Sequence, residues 1–333
     1  MATYPLDAPL VGDPDTNPRT ALQWLAKQRH EPTRQPYNVV QRGELVLSQS
    51  SLVSSLSQDE LWAFLEQVGA AAIELGRWEL AEPCLSRLQS RFPASARVKC
   101  LHGMLLEGKG EYSRALDFYE AELEQDGTSV TLSRRLVATL RALPTSHPRG
   151  GPQKAIEALN KHLDTFYQDP EGWQELAEMY AELGQYQQSV FALEELVLLV
   201  PQNSFYQLKL AETLYTAGHL ARSYKSYLRV LEMCKSDDGI VDGSANGPWL
   251  RALWGTKMCT SAILSQPTHL SNRETATISS AGTEDISLDK VKAIDQLVTR
   301  LLLENVYSPA LSAQGTEAAK TVRDVVRKVL AAA

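Results

Sequence analysis

The sequence has 333 residues, of which 44% are hydrophobic, so it is long enough to bury a large core. Its formal net charge of -7 argues against nucleic acid as the main partner, because phosphate binding needs a surplus of Lys and Arg. Its four cysteines form no close pair and have no metal-ligand spacing, which favours small buried thiols in a reducing compartment over disulfides or a zinc site.

Residues 1–57 predict a tail followed by short helices. Four prolines interrupt the segment 1–18, which predicts a flexible tail and no secretory signal. A short amphipathic helix is expected over 20–28 and should be ended by Pro32 and Pro36. The apolar residues of 39–56 are mixed with Ser and Gln around Gly43, so only part of this segment is expected to be helical.

Residues 58–235 repeat a helix-turn-helix pattern. Gly184 and Gly218 are 34 residues apart, as are Gly76 and Gly110, and each glycine is expected to end a first helix. A small residue follows each glycine by five positions, where the second helix should cross the first closely: Ala81, Ala115, Ser189 and Ser223. A second small residue recurs within the first helix: Gly69, Gly103, Ala177 and Ala211.

A further unit between these copies, with an insertion at 144–152, brings the array to about five repeats. A single hairpin of this kind cannot bury its own apolar faces, so its neighbours must stack on it. The pattern therefore predicts an all-α tetratricopeptide-repeat solenoid, a right-handed superhelix of helical hairpins with extra N- and C-terminal helices.

Residues 236–333 are expected to cap the open end of this stack. The segments 249–265, 287–303 and 316–330 carry apolar residues at helical spacing, which predicts three helices. The Gly/Ser/Asp-rich segment 236–248 is expected to be a linker. The Ser/Thr-rich segment 266–284 is predicted to be a mobile loop.

No constellation of residues predicts catalysis. Gly108, Lys109 and Gly110 belong to a repeat turn rather than to a phosphate-binding loop, and the six histidines lie far apart without paired carboxylates. No serine lies in a nucleophile elbow. We therefore predict a chain that is not an enzyme and has no cofactor or metal site.

The first helices of such a stack are expected to line a concave groove that binds a partner. The residues expected to point into it are Arg134, Arg141, Glu171, Gln174, Glu178, Glu182, Phe205, Leu208, Glu212 and Tyr215. For each of them an ordinary solvated helix face is the alternative. A clamp for the C-terminal carboxylate of a chaperone is disfavoured, because that carboxylate would meet the like charges of Glu178 and Glu182.

Four stretches of the sequence carry a family resemblance. One contains Gly76, Leu80, Ala81, Cys84, Leu85, Leu88, Arg91, Phe92, Pro93, Arg97, Val98 and Lys99. The others are 173–180 (WQELAEMY), 191–196 (FALEEL) and 251–255 (RALWG). With the order of the repeats over about residues 58–265, these stretches resemble subunit 2 of the endoplasmic reticulum membrane protein complex.

The resemblance implies a non-catalytic scaffold subunit that is peripheral to the membrane, at the cytosolic face of the endoplasmic reticulum, and does not span the bilayer. It would support insertion of tail-anchored and multipass proteins by holding cytosolic parts of the membrane subunits. The implied partners in a hetero-oligomer are insertase subunit 3, subunit 5 and a soluble subunit of the 8/9 type. Such obligate interfaces are partly apolar, so exposed apolar patches are expected around Trp24 and on the C-terminal helices.

Two other functions stay open at the level of the sequence. The chain could be a peptide-binding adaptor or co-chaperone that uses its groove transiently, which binding to free chaperone tail peptides would favour. It could also be a non-catalytic targeting domain of an enzyme complex, which co-purification with a soluble enzyme and no membrane subunit would favour.

Overall fold

The computed structural model describes residues 17–234, 248–266, 287–307 and 317–332. Within these ranges the ordered elements are sixteen α-helices and one π-helical turn, with no strand, which confirms the predicted fold class. The chain divides into two compact units, Met1–Phe166 and Tyr167–Ala333.

The first unit contains nine helices in its described part. They are α1 (Pro18–Gln28), α2 (Pro36–Leu47), α3 (Ser50–Ser54), α4 (Gln58–Glu74), α5 (Trp78–Arg91), α6 (Ala96–Gly108), α7 (Tyr112–Gln125), α8 (Val130–Ala142) and α9 (Pro152–Thr165). Helices α4 and α5, α6 and α7, and α8 and α9 form three successive hairpins, in which α4, α6 and α8 are the first helices.

The second unit contains two further hairpins and three C-terminal helices among its described residues. They are α10 (Pro170–Glu182), α11 (Tyr186–Leu199), α12 (Ser204–Thr216), α13 (Leu220–Met233), α14 (Trp249–Ser265), α15 (Leu288–Leu301) and α16 (Glu317–Ala332). A π-helical turn, Leu302–Val306, continues α15. Helix α10 pairs with α11, and α12 pairs with α13.

The four phased glycines end first helices, as predicted. Gly76, Gly110, Gly184 and Gly218 have φ angles between 69° and 85°, in the left-handed region that glycine adopts without steric cost. The residue after each glycine donates its backbone N–H to a carbonyl in the last turn of the helix, for example Arg77 to Ala72 at 2.8 Å. This hydrogen bond satisfies a carbonyl that the helix end leaves free, and it aims the chain into the second helix.

The two series of small residues meet where the helices of a hairpin cross. Ser189 Oγ donates to the carbonyl of Ala177 at 2.8 Å, and Ser223 Oγ donates to that of Ala211 at 2.8 Å. In the second hairpin the ring of Tyr119 occupies the space that a side chain at position 103 would need. The small residues therefore let the two backbones approach closely, as the sequence predicted.

The insertion in the third hairpin is an ordered loop that contacts the preceding hairpin. Gly151 lies at a φ of 106° and donates its N–H to the carbonyl of Leu140 at 2.9 Å. Arg149 makes ion pairs with Asp117 at 2.5 Å and with Glu120 at 2.7 Å, both on α7. These contacts hold the longer connection against the second hairpin.

The N-terminal helices pack on the first hairpin. Gly43 of α2 allows a close approach to α4, since a methyl group at this position would lie 2.7 Å from Val68 Cγ2. Pro36 is the first residue of α2, whereas the sequence predicted only that it ends the preceding segment.

Trp24 is half-buried in the core of this unit and is covered by the Arg42 guanidinium, 4.1 Å from the ring centroid. The expectation of an exposed patch around Trp24 is therefore wrong.

The predicted capping box at the start of α4 is present. Glu60 accepts from the backbone N–H of Ser57 at 3.3 Å, and Ser57 Oγ accepts from the backbone N–H of Glu60 at 3.3 Å. These two bonds satisfy donors that a helix start leaves free.

The C-terminal helices share a core and leave some apolar side chains outside it. Trp249, Leu253, Val298, Leu302, Val326 and Leu330 form one buried cluster. Three valines of α16 remain about half exposed, which agrees with the expected apolar exposure on these helices: Val322, Val325 and Val329.

The predicted linker 236–248 and loop 266–284 lie almost wholly outside the described residues, as does most of the predicted tail 1–18.

The close helix crossing predicts the effect of enlarging the small residues. Ala81 and Ala115 are fully buried, so Ala81→Leu or Ala115→Leu should lower the free energy of unfolding by about 1–3 kcal/mol through overpacking. Thermal and denaturant unfolding followed by circular dichroism measures this. Ala138→Leu, at an exposed position of α8, is the matched control. Equal stability of all three variants would contradict the crossing.

Candidate functional site

Several first helices pack on one another, so that their outer residues share a surface. In the first unit α4 contacts α6, and α6 contacts α8; in the second unit α12 contacts α14. We call the solvent-facing residues of α6 and α8 the first-helix face of the first unit, and those of α10, α12 and α14 the first-helix face of the second unit. Ion pairs on this face link successive helices.

In the first unit a half-buried ion pair links α6 and α8. Arg135 Nε donates to Glu107 Oε1 at 3.2 Å, and Arg135 also pairs with the second carboxylate oxygen. The Tyr119 hydroxyl donates to Glu107 Oε1 at 2.5 Å. Burial and the adjacent carboxylate together raise the pKa of Tyr119 far above its ordinary value, so its hydroxyl stays protonated as a donor.

Burial is the largest single influence on the pKa of Arg135 and would lower it, but Glu107 and Tyr119 together outweigh burial, so that the pKa is raised. One carboxylate therefore serves a guanidinium and a phenol at the junction of two repeats. Because water is largely excluded there, this cluster is expected to stabilise the junction more than an exposed pair would.

In the second unit two ion pairs link α10 to α12 and α12 to α14. Glu178 pairs with Lys209 and also accepts from Gln174 Nε2 at 3.1 Å. Glu212 accepts from Arg251 Nη2 through both carboxylate oxygens, at 2.7 and 2.9 Å. These pairs fix the positions of two acidic side chains that remain partly exposed.

The structure places the ten predicted site residues in two groups. Arg134 and Arg141 are half-buried on α8 of the first unit, whereas the other eight residues lie on α10 and α12 of the second unit. Glu171 and Glu182 are exposed near the two ends of α10. Phe205, at the start of α12, is 59% exposed, as expected of an apolar residue available to a partner.

The prediction that Leu208 points into a groove is wrong. Leu208 is 2% exposed and belongs to the core formed with Ala211 and Tyr224. Tyr215 packs partly against the same core and is half-buried. Helix α12 is covered by α13 and also contacts α14, so a wider arc of it is buried than a single hairpin partner would cover.

Sequence reasoning missed the cationic partners of these carboxylates. Lys209 is 31 residues from Glu178, Arg251 is 39 residues from Glu212, and Arg135 is 28 residues from Glu107. Each separation is close to one repeat length. A search for opposite charges on successive first helices could have found these pairs.

The described residues place acidic, basic and aromatic side chains on the first-helix face of the second unit. They contain no group of three or more His, Cys, Asp or Glu side chains that could hold a metal ion. His162 is buried and lies with Nδ1 3.0 Å from Ser133 Oγ. No helix in the described part of the chain is both long and apolar enough to cross a bilayer.

The cluster around Glu107 generates a stability prediction. Glu107→Gln should lower the free energy of unfolding by about 1–3 kcal/mol, because it leaves the partly buried Arg135 without its counter-charge. Glu111→Gln removes a carboxylate from an exposed pair with Arg114 and should cost less than about 0.5 kcal/mol. Denaturant titration of both variants measures the difference. Equal losses would show that the buried pair adds nothing to the junction.

The cysteines generate a reactivity prediction. Cys84 and Cys259 are buried, and burial raises the pKa of each thiol to about 11. A thiol reagent at pH 8 should therefore modify the half-buried Cys234 first and leave Cys84 and Cys259 intact until denaturant is added. Mass spectrometry of the labelled peptides gives the order. Rapid labelling of Cys84 in the native chain would contradict its burial.

Comparisons with known proteins agree with this architecture. A family model described as the EMC2 TPR-like repeat domain matches residues 90–232. The C-terminal part of a TPR repeat-containing protein from Cytophaga hutchinsonii has a similar structure, with a TM-score of 0.52 and 15% identity. That likeness covers 92% of this chain and 98% of the other, and it shows the fold alone.

The sequence relatives are more specific. The chain is 34% identical over 242 residues to ER membrane protein complex subunit 2-A of Xenopus laevis, covering 72% of this chain and 74% of the relative. It is 32% identical over 211 residues to TPR repeat protein oca3 of Schizosaccharomyces pombe, covering 61% and 71%. The chain therefore belongs to the family of ER membrane protein complex subunit 2.

Proposed function

We propose that the chain is a non-catalytic scaffold subunit that holds cytosolic parts of membrane subunits and so supports insertion of tail-anchored and multipass proteins. The observation that carries the proposal is the first-helix face of the second unit, which presents partly exposed, ion-paired carboxylates together with the exposed ring of Phe205. The similarity to the Xenopus laevis relative, a subunit of an ER membrane protein complex, supports this setting.

The proposed location is the cytosolic face of the endoplasmic reticulum membrane, with the chain bound peripherally in a hetero-oligomer. The proposed partners are insertase subunit 3, subunit 5 and a soluble subunit of the 8/9 type. The chain would contribute binding surfaces and geometry rather than chemistry, and would need no cofactor.

Helix α10 favours a basic partner segment. Its four glutamates lie at positions 171, 175, 178 and 182, and the helix contains no Lys or Arg. Lys209 and Arg251 already pair with Glu178 and Glu212, so these two carboxylates are held in fixed positions before a partner arrives. A fixed carboxylate loses less side-chain entropy on binding than a free one does.

Phe205 adds an apolar anchor to this acidic surface. It lies in the first turn of α12, whose N-cap Asn203 accepts from the backbone N–H of Phe205 at 3.0 Å. The ring is therefore carried on a capped helix end rather than on a loose loop. Aromatic anchors beside charged rims are typical of protein interfaces.

A charge reversal on α10 tests the surface. Glu178→Lys together with Glu182→Lys should reduce recovery of membrane subunits about tenfold, because a basic segment would then meet like charges. The matched control reverses Asp117 and Glu120 on α7, two exposed carboxylates that pair with Arg149 and lie on a second helix rather than on the first-helix face. Circular dichroism shows whether each variant keeps its helices. Equal recovery with both variants would mean that the first-helix face is not the interface.

The wider proposal is tested by purifying the tagged full-length chain from membranes of its source cell in mild detergent. Several integral endoplasmic reticulum proteins in fixed ratio, retained at moderate salt, are expected. Recovery of only chaperones or soluble enzymes would overturn the scaffold proposal and leave the fold and the family unchanged.

A further inference from the structure

An exposed apolar patch lies along α11, the second helix of the α10–α11 hairpin in the second unit. None of its residues belongs to the first-helix face. We call Tyr167, Phe191, Glu195 and Leu198 the α11 patch. Tyr167 is 50% exposed, Phe191 57% and Leu198 73%. Phe191, Glu195 and Leu198 are four and then three residues apart, so they follow one stripe of α11.

The aromatic side of the α11 patch is fixed by contacts beneath it. The ring of the buried Trp173 lies edge-on to Tyr167, with centroids 5.6 Å apart, and edge-on to Phe191, with centroids 6.4 Å apart. Trp173 Nε1 donates to the carbonyl of Tyr167 at 2.8 Å. The two exposed rings are therefore held before any partner binds, which reduces the entropy that binding would cost.

A carboxylate lies in the middle of the α11 patch. Glu195 accepts a hydrogen bond from the Tyr167 hydroxyl through Oε2. That bond raises the pKa of Tyr167, which keeps the phenol a donor and the carboxylate in place. Within the described part of the chain no cation pairs with Glu195, whereas its neighbour Glu194 is paired with Arg222 on α13.

This arrangement selects for a positively charged group with apolar neighbours. A Lys or Arg side chain that reaches Glu195 would gain an ion pair and would also lie close to the aromatic rings of Tyr167 and Phe191. Apolar side chains on either side of that cation would cover Phe191 and Leu198. An acidic segment would instead bring a like charge next to Glu195. Charge alone therefore discriminates between a basic and an acidic partner segment.

We propose that the α11 patch is a second docking site, which binds a segment of another polypeptide carrying a Lys or Arg between apolar side chains. The site is independent of the first-helix face. A chain could thus hold one partner segment on its first helices and another on α11. The inference does not depend on which complex contains the chain.

Site-specific crosslinking of the full-length chain in membranes of its source cell tests this proposal. Phe191 is replaced by the photoreactive residue p-benzoylphenylalanine, which preserves the aromatic ring, and crosslinked peptides are identified by mass spectrometry. The expected product joins position 191 to another polypeptide, within one helical turn of a Lys or Arg that has apolar neighbours. The same photoreactive residue at Tyr186, which lies at the start of α11 and is less exposed, should give little of this product.

A charge reversal separates recognition from mere proximity. Glu195→Arg should reduce the yield of that product about tenfold, since it places like charges together. Glu232→Arg, at an exposed position of α13, is the matched control and should leave the yield unchanged. Melting temperatures of both variants show whether the unit remains folded.

The proposal would be overturned by any of four results. These are no crosslink from position 191, a product with lipid or with the same chain or a second copy of it, a crosslinked segment that lacks Lys and Arg, and a yield unaffected by Glu195→Arg. The reversal of Glu178 and Glu182 tests the first-helix face separately, so either site can fail without the other.

Discussion

The structure depends on how closely the two helices of each hairpin cross. Where Ser189 meets Ala177 and Ser223 meets Ala211, the second helix touches the backbone of the first. At each crossing the serine hydroxyl donates a hydrogen bond to the alanine carbonyl. This spacing sets the angle at which each hairpin presents its outer residues. Since the crossing recurs with the repeat, the same helix positions recur on the same face.

Charges then join the repeats that this packing brings together. Glu107 with Arg135 and Glu178 with Lys209 each connect two first helices, and Glu212 with Arg251 connects the last first helix, α12, to α14. The first of these pairs is more buried than the other two, so its contribution to stability should be larger. The more exposed pairs leave carboxylate surface that a partner can reach. The same kind of ion pair therefore lies at different depths along the first helices.

The second unit carries two surfaces of different character. Helix α10 is acidic and polar, while the α11 patch is apolar around a single carboxylate. A scaffold that holds several partners needs such distinct surfaces, because one surface cannot discriminate between segments of similar chemistry. The location of both surfaces on neighbouring helices of one hairpin follows from the amphipathic design of the repeat.

Much of the repeat architecture could be predicted because it depends on local rules. A glycine that ends a helix, a small residue at a fixed distance from it, and a Ser–Glu capping box each act within a few residues, so a single chain displays them directly. The positions Gly76, Gly184 and Ala81 were therefore predicted correctly. The C-terminal helix α14 was also predicted with its observed bounds, Trp249–Ser265.

The site could be predicted only in part. Exposure of Phe205, Glu171 and Glu182 follows from helical periodicity. Burial of Leu208 does not, because it depends on how much of α12 its neighbours cover. The cations that pair with Glu107, Glu178 and Glu212 were missed because they lie about one repeat away along the chain.

The sequence by itself thus determined the all-helical class, the repeat period, the turns and the absence of a recognisable catalytic motif. Only the tertiary structure decided which side chains of each helix remain exposed and which charges pair. The physical reason is that turns and caps are set by neighbouring residues, whereas exposure and ion pairing are set by helices about one repeat away. Trp24, expected to be exposed and found under Arg42, shows that difference at a single residue.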